Sequence, residues 1–179
     1  MQFNGIQKTG ILLLCIALPF IPSAIAAEGP TLDGSTATTV VEPVGIEKYR
    51  GATKLSEAEL IDLLHLAGFE GKSLRLAWAV VMRESRGNVS SHNKQTSTGD
   101  NSYGLFQINM LGSLGEDRRE KFGIKSNAEL LDPVVNAQAA FYMTAKGTNF
   151  GSWGLGPDAY DGTPSESAVT DWLSKYPSK

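Results

Sequence analysis

An apolar segment at residues 74–82 constrains the fold of this chain more than any other part of its sequence. It reads Leu-Arg-Leu-Ala-Trp-Ala-Val-Val-Met, and a helix that is apolar on almost every side is usually buried in a protein core. Glu84 follows the segment, and Gly87 is a natural stop for the helix. The sequence therefore predicts a buried helix over about residues 73–86 with a carboxylate at its C-terminal exit.

Glu84 occupies an unusual place for a charged side chain. The residues three, four and seven positions before it are apolar, so it continues an apolar row of the predicted helix. Burial and the negative end of the helix dipole both raise the pKa of a carboxyl group, which favours an acid that is still protonated near neutral pH. Arg83 and Arg86 are one and two positions away, so an ion pair within the helix is not expected. The alternative is a surface glutamate that ends a core helix.

A second distinctive segment, Tyr103–Asn109, follows a polar stretch without periodicity over residues 88–101. The segment reads Tyr-Gly-Leu-Phe-Gln-Ile-Asn. Gln107 stands among apolar neighbours, and an amide in such a place needs hydrogen-bond partners. A sugar hydroxyl, an acetamido group or a backbone group of the protein would serve. Because long loops in compact domains are often functional, residues 88–109 are candidates for part of a site.

The rest of the chain predicts further helices. Helix-start signals, either capping boxes or an Asp-Pro pair, occur at residues 56–59, 126–129, 132–133 and 163–166. Trp153 lies in an aromatic, glycine-rich loop and is expected either in the core or stacked on a sugar. No convincing period-two strand is visible, so the predicted class is all-α, or mainly α with a minor hairpin in residues 88–103.

The N-terminal residues resemble a secretory signal peptide. Lys8 is the only charge before Glu28, residues 11–21 are apolar, and Ala-Ile-Ala at residues 24–26 fits a cleavage site. An uncleaved membrane anchor is the alternative. We expect a signal peptide at 1–26, a flexible leader at 27–53 that is rich in Thr, Gly, Pro and Ser, and one domain at 54–179. The protein would then be exported to the periplasm or the outside of the cell.

Composition excludes several classes of protein. Cleavage after Ala26 leaves 15 basic and 19 acidic residues, a formal net charge of −4, and no cysteine. An acidic chain without a basic patch is not expected to bind nucleic acid. His65 and His92 are the only histidines, so we expect no metal site and no cofactor, and no Gly-x-Ser-x-Gly elbow predicts a serine hydrolase. We expect a monomer.

Three motifs together resemble a known family. They are Glu84-Ser85-x-Gly87, then Gly104-Leu105-Phe106-Gln107-Ile108, and then Asp132-Pro133-x-x-Asn136-Ala137-x-x-Ala140-x-x-Met143. In this order, over about residues 55–160, they resemble the soluble lytic transglycosylase domain of the lysozyme-like superfamily, which includes the goose-type lysozymes. The resemblance implies a single lysozyme-like domain that binds peptidoglycan glycan strands. It also implies cleavage of the β-1,4 bond between N-acetylmuramic acid and N-acetylglucosamine.

The resemblance also implies roles for individual residues. Glu84 matches the catalytic acid, and Asp100 resembles an aspartate that helps to position water in goose-type lysozymes. Tyr160 resembles the tyrosine of a late Tyr-Asn-x-Gly motif, in which Asp161 here replaces the asparagine. The substrate-binding residues that the resemblance implies are Ser85, Tyr103, Gln107, Asn109, Tyr142 and Tyr160.

Two reactions and two non-enzymatic roles are open at this point. With one acid group, Glu84 would protonate the glycosidic oxygen and then accept the proton of the sugar's own 6-hydroxyl, which closes a 1,6-anhydro ring. If water enters instead, Asp100 is the first candidate to hold it, and the outcome is lysozyme-type hydrolysis. A non-catalytic cell-wall-binding module and a component of a secretion apparatus or phage particle are the alternatives outside enzymes.

Overall fold

The structure is a computed structural model that describes residues 44–156 and 164–177 of the chain. Its helices are α1 (Glu57–Leu66), α2 (Gly71–Glu84), α3 (Gly112–Phe122), α4 (Pro133–Met143) and α5 (Pro164–Leu173), and its strands are β1 (His92–Gln95), β2 (Asp100–Tyr103) and β3 (Ile108–Asn109). Short 3₁₀ helices cover Gly45–Tyr49, Thr96–Thr98, Asn127–Leu131 and Gly151–Trp153. The predicted class, mainly α with a minor hairpin, is confirmed. The predicted signal peptide and the leader as far as residue 43 lie outside the described residues.

Helix α2 is the centre of the core, as its apolar sequence predicts. Residues 76–81 are all buried, and α2 packs against α1 and α5. Trp78 makes edge contacts with Trp172 and Tyr176 at centroid distances of 6.2 and 5.3 Å. The helix begins and ends two residues earlier than predicted, so Glu84 is its last residue rather than a residue of its final turn.

The three strands form one antiparallel sheet in the order β1-β2-β3. His92 pairs with Tyr103 across β1 and β2, and Ser102 pairs with Asn109 across β2 and β3. All four residues of β1 are exposed, so the strand lacks the alternation of buried and exposed positions by which strands are found in sequences. The sheet leads the chain from α2 to the Tyr103–Asn109 segment.

Residues 44–53, which were predicted as part of the leader, belong to the described structure. The 3₁₀ helix Gly45–Tyr49 packs against α1 and α4, and Tyr49 is buried, with its hydroxyl donating to Asp62 Oδ2 at 2.7 Å. The Gly51 amide donates to Asp132 Oδ2 at 2.7 Å. A segment of low overall hydrophobicity is therefore anchored by one aromatic ring and a few hydrogen bonds, which average composition does not reveal.

The N-terminal caps of α1 and α4 are formed by the residues that the sequence predicts. Ser56 and Glu59 form the capping box of α1, and Asp132 accepts hydrogen bonds from Val134 and Val135 at the start of α4.

Across the part of the chain that is described, no helix combines the length and the apolar character needed to cross a membrane.

Candidate active site

Glu84 opens onto a cavity of about 530 Å³. The cavity is lined by the end of α2, the 107–109 segment, one face of α3, the end of α4 and the 152–154 loop. The Glu84 side chain is 25% exposed, while residues 77–81 of α2 are at most 1% exposed. Among the described residues, it is the only carboxylate in the cavity lining.

The helix ends at Glu84 because the backbone turns sharply after it. Ser85 leaves the helical region with φ −129°, and Arg86 and Gly87 both have positive φ, 57° and 76°. The Ser85 hydroxyl donates back to Val81 O at 3.2 Å. These residues fix the direction in which the Glu84 side chain leaves the core.

Arg83 forms the ion pair with Glu84 that the sequence argument did not expect. Arg83 Nε and Nη2 lie 2.9 and 2.7 Å from Glu84 Oε1, and Nη2 also donates to Trp153 O at 2.9 Å. Neighbours on a helix point to different faces. However, the guanidinium sits on a long stem and Glu84 is the last helical residue, so the two groups meet past the helix end. The Trp153 carbonyl holds the guanidinium in that position.

A series of hydrogen bonds connects this ion pair to the buried Asn136 of α4. Trp153 Nε1 donates to Phe106 O at 2.8 Å, and the Phe106 amide donates to Asn136 Oδ1 at 2.9 Å. Asn136 Nδ2 in turn donates to Tyr103 O and Leu130 O at 2.9 and 2.8 Å. Asn136 is completely buried, and backbone groups provide hydrogen-bond partners for both the oxygen and the nitrogen of its side-chain amide. The cavity wall and the Glu84 side chain are therefore held by one continuous network.

Gly104 is required by the same network. Its φ is +71°, and a Cβ built there would lie 2.3 Å from both Asn136 Nδ2 and Leu130 O. No side chain fits at such distances without moving the backbone. This explains why the Tyr103–Asn109 segment carries a glycine at its second position.

Gln107 and Asn109 both line the cavity. Gln107 has a positive φ of 47°, and its Nε2 donates to Ser91 O and Gly104 O at 3.1 and 2.9 Å, so backbone groups satisfy the amide nitrogen. Within residues 44–156 and 164–177, Gln107 Oε1 accepts no hydrogen bond. The side chain of Asn109 bonds to the surrounding loop. Its Oδ1 accepts a hydrogen bond from Leu111 N at 3.0 Å, and its Nδ2 donates to Gly99 O at 2.9 Å.

Asp100 lies outside the cavity lining. It is the first residue of β2, and its carboxylate oxygens accept hydrogen bonds from the side chains of Asn93 and Ser102. Both partners belong to the β1–β2 pair. The structure thus places this carboxylate in the sheet and does not bring it into the lining with Glu84.

The predicted aromatic binding residues lie at different places. Tyr103 stacks on His92 with a centroid distance of 4.1 Å, outside the lining. Tyr142 is 61% exposed and lines a separate cavity of about 340 Å³ between α3 and α4. Tyr160 lies outside the described residues. Trp153 is buried and lines the Glu84 cavity.

Arg118 is a cavity residue that the sequence analysis missed. It extends from α3, and its Nη1 donates to the backbone oxygen of Asn109. Burial lowers the pKa of its guanidinium. In the sequence it is one of six consecutive charged residues of α3, and nothing in that run distinguishes it. It lies four residues after Leu114, which also lines the cavity. Only the fold shows that the helix face shared by these two residues is turned toward the cavity.

Two further observations concern other possible sites in the described residues. No group of three His, Cys, Asp or Glu side chains in the described ranges could hold a metal ion. A larger cavity of about 760 Å³ lies between α1, the start of α2 and Tyr176–Pro177, but it contains none of the predicted site residues. The Glu84 cavity is therefore the candidate active site.

A model of the family described as lysozyme like domain matches residues 62–155. The match covers more than half of the chain and includes every residue that lines the Glu84 cavity. The curated proteins and the solved structures gave no significant match.

Proposed function

The chain belongs to the family of lysozyme-like domains, and on this premise we propose that it is a peptidoglycan lytic transglycosylase in which Glu84 is both acid and base. The family supports an enzyme that cleaves glycosidic bonds and acts on peptidoglycan. The transglycosylase reaction and its 1,6-anhydro product are the part that we propose. Action on peptidoglycan requires export, for which the predicted signal peptide at residues 1–26 is our proposed route.

One observation carries the proposal: within the described residues, Glu84 is the single carboxylate of its cavity. Glycoside hydrolases that use two carboxylates place them roughly 5–10 Å apart across the bond. Asp100, the candidate partner, is instead hydrogen-bonded to Asn93 and Ser102. A site with one carboxylate suits a reaction in which the substrate supplies its own nucleophile.

The reaction then needs two proton transfers through Glu84. The protonated carboxyl gives its proton to the glycosidic oxygen, the bond from this oxygen to the muramic acid C1 breaks, and an oxocarbenium-like state forms. The 6-hydroxyl of the same muramic acid attacks C1, and its proton returns to the carboxylate of Glu84. No water is consumed, and the product is a 1,6-anhydro ring. Such acid–base catalysis contributes about 10²- to 10⁴-fold in rate.

The contacts of Glu84 suit the base step of this role, because a neighbouring guanidinium stabilises the carboxylate that accepts the 6-hydroxyl proton. Arg83 holds Oε1 through two of its nitrogens. Oε2 accepts no hydrogen bond within the described part of the chain, so we assign the transferred proton to Oε2. The ion pair thereby orients the carboxyl group, and in the proposed complex Oε2 faces the glycosidic oxygen.

The other predicted binding residues enter the proposal according to their position. Gln107 lines the cavity, and its carbonyl oxygen accepts no hydrogen bond from the described residues. We propose that this oxygen accepts a hydrogen bond from a sugar hydroxyl or acetamido group. Asn109 and Ser85 support the cavity through the loop and the helix end. Tyr103, Tyr142 and Tyr160 stay candidate contacts to more distant parts of a glycan strand.

The test is the release of soluble muropeptides from purified peptidoglycan by Glu84→Gln and Glu84→Asp. Both variants are expected to lose at least about 100-fold in rate, since the acid is removed or withdrawn from the bond. Glu120→Gln is the matched control, because Glu120 is an exposed glutamate of α3 away from the cavity lining. Thermal melting checks that the folds are equal. Wild-type rates in Glu84→Gln would reject the assignment, and an inactive wild-type protein would favour a non-catalytic wall-binding module.

A further inference from the structure

Arg118 is a half-buried cation in the Glu84 cavity without an acidic partner in the described residues. Its one hydrogen bond goes to the backbone oxygen of Asn109. Burial lowers the pKa of its guanidinium, and no carboxylate of the described residues opposes this effect. The next residue, Arg119, differs: its Nη1 donates to Asn127 Oδ1 at 2.7 Å, and it does not line the cavity.

An arrangement of this kind leaves most of the guanidinium available to a ligand. Arginine has five N–H donors in a planar fork, and in the described structure Arg118 uses one of its nitrogens. Withdrawing an unpaired cation from water is unfavourable. The cost is offset when an acceptor fills the cavity, and a carboxylate matches the fork better than any neutral group.

The charge of the cavity contrasts with that of the chain. The protein has a formal net charge of −3, yet its candidate active site is lined by two arginines and one glutamate. Arg83 is committed to Glu84 and to Trp153 O, so Arg118 supplies the excess positive charge. A cleft with a local charge opposite to that of its protein attracts ligands of the other sign.

We propose that Arg118 forms an anion subsite that binds a carboxylate carried by the muramic acid residue of the substrate. This inference rests on the proposed function and adds its substrate selectivity. Two carboxylates fit the chemistry: the 3-O-lactyl group of a glycan strand without peptides, and the carboxylates of a peptide stem attached to it. N-acetylglucosamine polymers such as chitin carry neither, so the subsite selects peptidoglycan over chitin.

The experiment measures binding by calorimetry in the Glu84→Gln protein, which does not turn its ligands over. The ligands are stem-free muramic acid–glucosamine oligomers, stemmed oligomers, stemmed oligomers with amidated carboxylates, and chitin oligomers of the same length. A carboxylate-bearing oligomer is expected to bind about 10-fold or more tighter than chitin, as for a charge-assisted hydrogen bond. Adding Arg118→Gln should remove this difference and leave chitin binding unchanged. Arg118→Lys should retain part of it.

Arg119→Gln is the matched control and should keep the full preference. An effect of Arg118→Gln on stem-free strands identifies the lactyl carboxylate, and an effect only on stemmed, non-amidated strands identifies the peptide. An equal loss of affinity for chitin would make Arg118 a structural support and overturn the inference. The absence of any preference for carboxylates would also overturn it. Either result is compatible with muropeptide release by the wild type, which tests the proposed function separately.

Discussion

At the scale of single residues, the site depends on a cation that orients an anion. Arg83 bridges Glu84 Oε1 and Trp153 O, and the Trp153 indole continues the network to Phe106 O at 2.8 Å. The carboxyl group is thus fixed by a side chain that is itself fixed by the cavity wall. Preorganisation of this kind matters because a misplacement of about 1 Å can cost about 100-fold in rate.

Replacing Arg83 should therefore damage catalysis more than substrate binding. Arg83→Met removes both bonds to Glu84 while keeping the aliphatic stem, and we expect kcat to fall about 10- to 100-fold with a smaller change in KM. Arg83→Lys should recover part of the activity. Arg75→Met is the matched control on α2, because Arg75 lies over the Tyr176 ring, 5.3 Å from its centroid. An unchanged kcat in Arg83→Met would show that the ion pair does not position the acid.

The sequence singled out Glu84 as the candidate acid but neither its ion-pair partner nor the second arginine of the cavity. Glu84 could be singled out because an apolar row leads to it. The Arg83 ion pair was excluded by a spacing rule that holds inside a helix, and it forms because α2 ends at Glu84. Arg118 could not be distinguished within six consecutive charges, since only the packing of α3 shows which of them faces the cavity.

At the scale of elements, apolar periodicity and capping residues were the signals that predicted the helices. They located α2 to within two residues and marked the starts of α1, α4 and α5, because apolar periodicity and capping residues are local features of the sequence. The sheet was predicted only as a minor hairpin. The side chains of β1 are all exposed, so its sequence has no alternation of apolar and polar residues, and the strand is recognised only by its pairing with β2. The Gly45–Tyr49 helix was assigned to the leader because its contacts to α1 and α4 are distant in sequence.

Tyr49 tests whether that N-terminal helix belongs to the domain. Tyr49→Ala in the full chain should lower the free energy of unfolding by about 3 kcal/mol, as for a buried aromatic ring. Tyr49→Phe should cost about 1 kcal/mol, because it removes only the hydrogen bond to Asp62. Val44→Ala is the control, since Val44 is 84% exposed. Chemical denaturation measures the free energy of unfolding of all three variants. An unchanged value for Tyr49→Ala would support the predicted leader that extends to residue 53.

At the scale of the whole molecule, a mainly α-helical domain brings five segments of the described chain around Glu84. The core helix α2 supplies Glu84, the sheet delivers the Tyr103–Asn109 segment, and Asn136 of α4 fastens that segment through Phe106 N and Tyr103 O. Helix α3 adds Arg118. The second carboxylate that two-carboxylate hydrolysis requires is absent from the described lining, and this arrangement is the basis of the proposed reaction.

The central claim is that the substrate's own 6-hydroxyl, and not water, completes the cleavage. Digestion of purified peptidoglycan in ¹⁸O-labelled water, followed by mass spectrometry of the muropeptides, tests it directly. If the 6-hydroxyl attacks, the muramic acid ends are one water lighter than reducing ends and contain no ¹⁸O. Reducing ends labelled with ¹⁸O as the sole product would contradict it and establish hydrolysis instead.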